Sequence, residues 1–351
     1  MGDIEGTRGD DYLWGWMGER GASNRHYGLE GDDKFGFEAL GDEDRFYGGP
    51  GDDTLFDLDF FLPLEGWRAD KGIHFDGGPG HDTLEMELTA QDDGLKVKLG
   101  EIYGRLTSVE DRLVTLMLDS QDGSSLTKMA LKGSGGADSL TLTLDDGTGA
   151  DGNKFKLGGG DDAFTLDHAP DGEGYGKLKV ALGKGHDTYR SELHETGGSD
   201  GGTVKVKGGD GDDRFHLGGS VEKAKGGAGD DVFDLAMNNV NLAAPDLLSG
   251  GDGEDTFLFA MRPLSGGIRA EVKDFTSGED KIVVENFLLS QDSITDFARI
   301  GPYDDWDYSA MQYDPTTGLV YYGRSAVLDL GAGTEAVSSD FVMVKDFDWG
   351  A

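Results

Sequence analysis

The chain contains no cysteine, which excludes disulfide staples, thiolate metal sites and cysteine nucleophiles. Basic residues are few: 31 Lys and Arg stand against 69 Asp and Glu, a formal net charge of −38. That balance argues against nucleic acid or an anionic membrane as the partner of the chain as a whole, and makes cations its natural counterions. No apolar run reaches the length of about 18 residues that a spanning helix needs. Met1 leads straight into Gly2, Asp3 and polar sequence, so the expectation is a chain without a membrane span or an N-terminal signal peptide. The seven histidines, at 26, 74, 81, 168, 186, 194 and 216, form no His-Glu-x-x-His, and His81 and His186 read as structural turn residues. The glycine-rich runs end in no Lys-Ser/Thr, so they are not phosphate loops.

What the chain has in excess is glycine, 60 of 351 residues, together with carboxylates. With 36% hydrophobic residues and so much like charge, it approaches the composition of a disordered chain unless something neutralises the acids. Bound metal would do so. The glycines fall in turns that end in Asp, any residue, then a large apolar residue. Marker aspartates stand at 11, 33, 53, 82, 138, 162, 187, 213, 231 and 255, with weaker turns at Asp111 and Asp280 that lack the glycine pair. Their intervals run from 18 to 29 residues, a repeat of about 24. Asp44, midway between Asp33 and Asp53, keeps the motif on the far edge.

After each marker the sequence alternates as a strand does, as in Phe164 and Leu166 or Phe233 and Leu235. A second alternating run precedes each turn, for example Leu178, Val180 and Leu182. Each repeat is thus turn, strand, loop, strand, a coil that buries its apolar side only by stacking on its neighbours. The expected fold is all-β, a right-handed parallel β-roll or β-helix of about twelve coils over residues 1–280, with a C-terminal β cap over 281–351. Inserts such as 60–70 and 236–247 fall on the far edge, and Trp306 to Tyr322 supply the cap. The aromatic residues Tyr12, Trp14 and Trp16 are expected to fold over the N-terminal end as a lid or to meet another copy there.

The runs KGGDGDDRFHL at 207–217 and KGGAGDDVFDL at 225–235 resemble the nonapeptide repeats of the RTX (repeats-in-toxin) family, a Ca²⁺-binding β-roll. The resemblance continues through VKDFTSGEDKIVV at 272–284, YDPTTGLVYY at 313–322 and DFVMV at 340–344, similar to the family's C-terminal cap and type I secretion region. The family's spacing of 18 is kept only between Asp213 and Asp231. The resemblance implies that Asp11, Asp33, Asp53, Asp82, Asp138, Asp162, Asp187, Asp213, Asp231 and Asp255 are side-chain ligands. It also implies that each ion is shared between stacked turns. Ca²⁺ takes six to eight oxygens at about 2.3–2.6 Å. Glycines such as Gly208, Gly211, Gly226, Gly229, Gly250 and Gly253 let the turns offer carbonyl oxygens without a Cβ in the way. Twelve turns leave room for up to about eleven ions.

Lysine recurs on the outward side of the returning strands: Lys96, Lys98, Lys128, Lys132, Lys154, Lys156, Lys177, Lys179, Lys205, Lys207, Lys223 and Lys225, followed by Arg269 and Lys273. This face reads either as a solvated surface that discourages edge pairing, or as a dock for an anionic partner such as an acidic polysaccharide or the acidic turns of another copy. The sequence as a whole reads as a secreted, non-enzymatic bacterial Ca²⁺-binding protein. It would self-associate, or join another extracellular protein, in a layer, matrix or filament. Alternatives are a binding module for anionic polysaccharide, or a roll-type polysaccharide lyase or epimerase.

Overall fold

The computed structural model describes residues 3–15, 24–37, 45–62, 74–91, 95–99, 105–118, 126–144, 150–167, 176–192, 203–218, 221–235, 245–260, 268–285, 299–300, 311–322 and 325–344. The expected turn at Asp44 and the aromatic residues Trp16 and Trp306 lie outside them. The chain divides into two compact units, Met1–Glu173 and Gly174–Ala351. Each is a stack of parallel β coils.

In the first unit the strands that follow the markers form one parallel ladder: Tyr12–Gly15, Lys34–Phe37, Thr54–Leu62, Thr83–Ala90, Asp111–Leu118, Ser139–Leu144 and Ala163–Asp167. The alternation expected from sequence sets the register. Phe35, Leu55 and Leu84 stack in one interior column, and Leu88, Leu116, Leu142 and Leu166 in another, all buried. The returning strands make two further parallel sheets. One runs Asp3–Glu5, Arg25–Tyr27, Arg45–Tyr47, His74–Asp76 and Arg105–Thr107; the other holds Lys96–Lys98, Ala130–Lys132 and Lys154–Lys156.

The second unit repeats the plan with Thr188–Glu192, Arg214–His216, Val232–Asp234, Thr256–Ala260, Lys281–Glu285 and Phe341–Val344. Its interior column is aromatic except at one rung: Tyr189, Phe215, Phe233, Phe257, Ile282 and Phe341 lie one above another. Phe233 stacks on Phe215 at 4.7 Å and on Phe257 at 5.1 Å between ring centres. Burying each such ring stabilises the coil by about 1.5–3 kcal/mol. The return sheet, from Lys177–Lys184 to Ala270–Val272, ends on Ser325–Asp329, which continues into the antiparallel strands Leu319–Tyr322 and Met311–Asp314.

The number of ladder strands, seven in the first unit and six in the second, differs from the expected twelve by Phe341–Val344. The preceding Asp340 is buried like a marker, but its turn contains no glycine, which hid it. A second correction concerns Asp111. It pairs with Thr83 inside the ladder, so Glu110 stands opposite Asp82 and Asp111 is exposed. The same strand pairs Leu113 with Ser139, two positions out of step, so Arg112 comes opposite Asp138. Of the three first-coil aromatics expected at the N-terminal end, two are described. Tyr12 and Trp14 point outward from their strand, 59% and 42% exposed, with the Trp14 ring lying over Gly36.

Candidate metal site

Every Gly-Asp-Asp turn carries two carboxylates with different tasks. The first stays in solvent and reaches forward: Asp10 Oδ1 accepts the N–H of Asp32 (3.1 Å), Asp32 that of Asp52 (2.9 Å), Asp212 that of Asp230 (2.8 Å) and Asp230 that of Glu254 (2.8 Å). Beyond the first turn the second, the marker, is buried and reaches backward. Asp33 Oδ1 accepts the N–H of Asp11, Asp53 that of Asp33, Asp82 that of Asp53, Asp213 that of Asp187, Asp231 that of Asp213 and Asp255 that of Asp231, all at 2.8–3.0 Å. At the weak turn Glu110 substitutes, accepting the Asp82 N–H at 2.9 Å. At two turns a histidine takes the solvent position. His81 donates its N–H to Asp52, and His186 Nδ1 accepts the N–H of Asp212 at 3.0 Å.

The other marker oxygen separates the turns into two sets. In Asp33, Asp53, Asp82, Asp213, Asp231 and Asp255, Oδ2 is fully buried and accepts no hydrogen bond. It points at the first glycine of its own turn. A Cβ on Gly208 would collide with Asp213 Oδ2 and lie 2.9 Å from the Gly226 carbonyl oxygen of the next coil; on Gly226 it would meet Asp231 Oδ2 and the Gly250 carbonyl at 2.7 Å, and Gly250 is closed in the same way by Asp255. Oxygens of neighbouring coils therefore converge on a space that only glycine leaves open. Gly211, Gly229 and Gly253 sit later in these turns with φ of 123°, 127° and 137°, the left-handed region.

Burial of an ionised carboxylate without a partner is costly, and it pushes these groups up: Asp53 and Asp213 to about 7, Asp82 and Asp255 to about 6, Asp231 to about 8. Neighbouring aspartates push in the same direction, while the cross-coil N–H bond opposes it. Among the described residues no three His, Asp or Glu side chains converge. Each of these six turns offers one buried carboxylate, with backbone carbonyls beside it. A hard, oxygen-seeking divalent cation fits that donor set, and Ca²⁺ fits it best because it tolerates irregular carbonyl-rich cages.

In the other set Oδ2 is satisfied locally. Asp11 accepts the N–H of Thr7, Asp138 that of Ser134 (2.6 Å) and Asp280 that of Thr276 (2.6 Å). The residue four before the marker decides between them. Leu29, Gly49, Gly78, Gly209, Gly227 and Gly251 are all left-handed in the first set, whereas Thr7, Ser134 and Thr276 are not. Asp162 and Asp187, 1% exposed, share the left-handed glycine in Gly158 and Gly183.

The lysine face is present. Lys179, Lys205 and Lys223 stand on adjacent rungs about 4.8 Å apart, with Lys207 and Lys225 beside them. All five are exposed and form no ion pair with any described residue. Lys132 and Lys156 repeat the arrangement in the first unit. Arg269 departs from the face, since it is partly buried, and Lys273 is paired with Glu271.

A parallel stack of coils with glycine turns and an inward marker carboxylate at most of them defines a β-roll. Residues 186–300 match the family described as Peptidase M10 serralysin C terminal, which places this stretch among RTX-type calcium-binding repeats. A comparison with curated proteins finds no match. Among the described residues no helix is long and apolar enough to cross a membrane.

Proposed function

We propose that this chain is a secreted, non-enzymatic β-roll that folds on binding calcium outside the cell and serves there as a structural element. The observation that carries the reading is the row of buried marker oxygens in each unit, Oδ2 of Asp33, Asp53 and Asp82 in the first and of Asp213, Asp231 and Asp255 in the second, which have no hydrogen-bond partner among the described residues. Without a cation these carboxylates oppose folding; with one they cross-link adjacent coils. Residues that would hold the ions are these aspartates together with the carbonyls of Gly208, Gly226 and Gly250 and their counterparts. When bound, the ion supplies the positive charge that lets the buried column ionise.

The export route follows from the same chemistry. Cytosolic Ca²⁺ is low, so the chain stays unfolded inside and can thread a type I channel. The matched family region, a serralysin C-terminal segment, supports this route. As a structural element the roll has two complementary surfaces, the exposed lysine ladder of Lys179, Lys205 and Lys223 and the solvent-side acidic ladder Asp212, Asp230 and Glu254. Contact between them in different copies is heterologous and leads to open layers or filaments. The same lysine ladder supports a second reading, binding of an anionic polysaccharide. Sedimentation velocity in chelator, in Ca²⁺, and in Ca²⁺ with polygalacturonate tests both: large species in Ca²⁺ alone support assembly, whereas a monomer that binds the polymer supports the second reading.

A further inference from the structure

The turns whose marker carboxylate is closed by Ser134 and Thr276 share a second property: each holds a cation of the protein's own. Arg112 stands opposite Asp138 because its strand is two residues out of step with its neighbours. Its Nη1 donates to Ser134 Oγ at 2.9 Å, and its guanidinium packs against Gly136, where a Cβ would approach the guanidinium carbon to 2.9 Å. The Ser134 N–H, directed outward to the next coil in the open turns, here points inward at Asp138 Oδ2. Open turns behave oppositely: Leu29 N–H goes to the Gly48 carbonyl at 3.0 Å and Gly49 N–H to the Gly77 carbonyl at 2.8 Å.

At the end of the second unit Lys281 takes the same part. Its ammonium lies 3.7 Å from Asp340 Oδ1 and 3.4 Å from the Asp280 carbonyl oxygen. Asp340 is fully buried yet fully bonded, accepting from Gly278 N–H at 3.1 Å, Val337 N–H at 2.9 Å and Ser277 Oγ at 2.7 Å. Asp280 accepts from Asp255 N–H at 3.0 Å and Thr276 N–H at 2.6 Å.

We propose that the turns of Asp138 and Asp280 are held by Arg112 and Lys281 in place of calcium, so that ion binding along the roll is interrupted at these two turns. A divalent ion there would face a guanidinium or ammonium within a few ångströms and an N–H dipole aimed at it, a repulsion that the open turns do not present. The sequence expectation treats Asp138 as a ligand like the others; the geometry gives it a hydrogen-bonding task instead. This inference rests on the calcium-folding reading above and assigns the ions within it.

The test is the ion count by calorimetric titration, combined with the slope of melting temperature against free Ca²⁺, which reports ions bound on folding. Asp213→Ala and Asp231→Ala should lower both count and slope. Asp138→Ala, Arg112→Gln and Lys281→Gln should lower the melting temperature at every Ca²⁺ concentration while leaving count and slope as in the parent chain. Loss of an ion in Asp138→Ala, or a reduced slope in Arg112→Gln or Lys281→Gln, overturns the proposal. If Asp138→Ala fails to fold, the two cation variants decide by slope. A parent chain that folds equally well in chelator defeats the calcium-folding reading itself, a result distinct from ion loss at Asp138 in a calcium-dependent chain.

Discussion

The backbone N–H of Asp213 donates to Oδ1 of Asp231 at 2.8 Å, across a gap of 18 residues in sequence and one coil in space. One oxygen of Asp231 thus fastens the coil before it, while the other, Oδ2, is buried at its own glycine turn and accepts no hydrogen bond from a described residue. Removing the side chain loses both.

Circular dichroism should show little strand signal in chelator and a cooperative gain on adding millimolar Ca²⁺. Ligand binding to the folded state alone contributes about 2.7 kcal/mol when the ion is at about 100 times its dissociation constant. An unchanged strand spectrum in chelator would contradict the account of the buried column.

Single sites should rank by their place in the ladder. Glu110→Ala should destabilise more than Asp111→Ala, because Glu110 holds the Asp82 N–H whereas Asp111 is an exposed strand residue. The bond and the buried N–H of Asp82 left without a partner are together worth about 1–3 kcal/mol. Melting curves of the two variants in saturating Ca²⁺ decide it, and equal effects would return the marker to Asp111.

Acidity should partly replace calcium. Asp231 is raised from 3.8 to about 8 and Asp213 to about 7, so the folded chain without metal holds more protons than the unfolded chain between these values. Stability of the calcium-free fold therefore falls as pH rises from about 4 to about 8 and is recovered on acidification. A chelated sample should gain strand signal on going from pH 8 to pH 5, and its apparent Ca²⁺ affinity should drop over the same window. A chelated chain that instead loses structure on acidification would oppose the assignment.

Phe233→Ala should cost about 3–5 kcal/mol, since the ring is buried between Phe215 and Phe257 and its neighbours cannot close the gap without shortening the stack. Gly209→Ala should also destabilise, because φ is 144° and the new Cβ would strike the Gly183 carbonyl. Urea unfolding in saturating Ca²⁺ measures both, and a loss below about 1 kcal/mol in either would show that the coils adapt.

The repeat was legible because three constraints coincide in it: glycine at turns, Asp at the inward corner, and alternation beyond. Each of the twelve markers read from sequence precedes a ladder strand, with Asp111 displaced by one residue. What escaped were the positions where one constraint is met by other means. Asp340 takes its donors from Ser277, Gly278 and Val337, so it needs no glycine pair and carries no motif. Buried Glu222 and Asp246 join one another on the returning strands, Asp246 Oδ1 accepting the Glu222 N–H at 2.8 Å; Asp246 follows no double glycine, and Glu222 follows Gly218-Gly219 with Glu in place of the marker Asp. Asp246-Leu247-Leu248 does keep the Asp-x-apolar signal. Arg112 was illegible because its role depends on a strand two residues out of step, a property of pairing and not of composition.

The two carboxylate ladders run in opposite senses, the solvent-side Asp212 reaching forward to Asp230 and the buried Asp231 reaching back to Asp213. A coil built this way is a two-ended connector whose ends match any other coil of its kind. Duplication or deletion of a whole repeat thus leaves no donor or acceptor stranded, whatever the length of the loop on the far side. Tandem copying of such a coil would therefore keep its cross-coil bonds, which form alike across 18 residues at Asp213 and Asp231 and across 29 at Asp53 and Asp82.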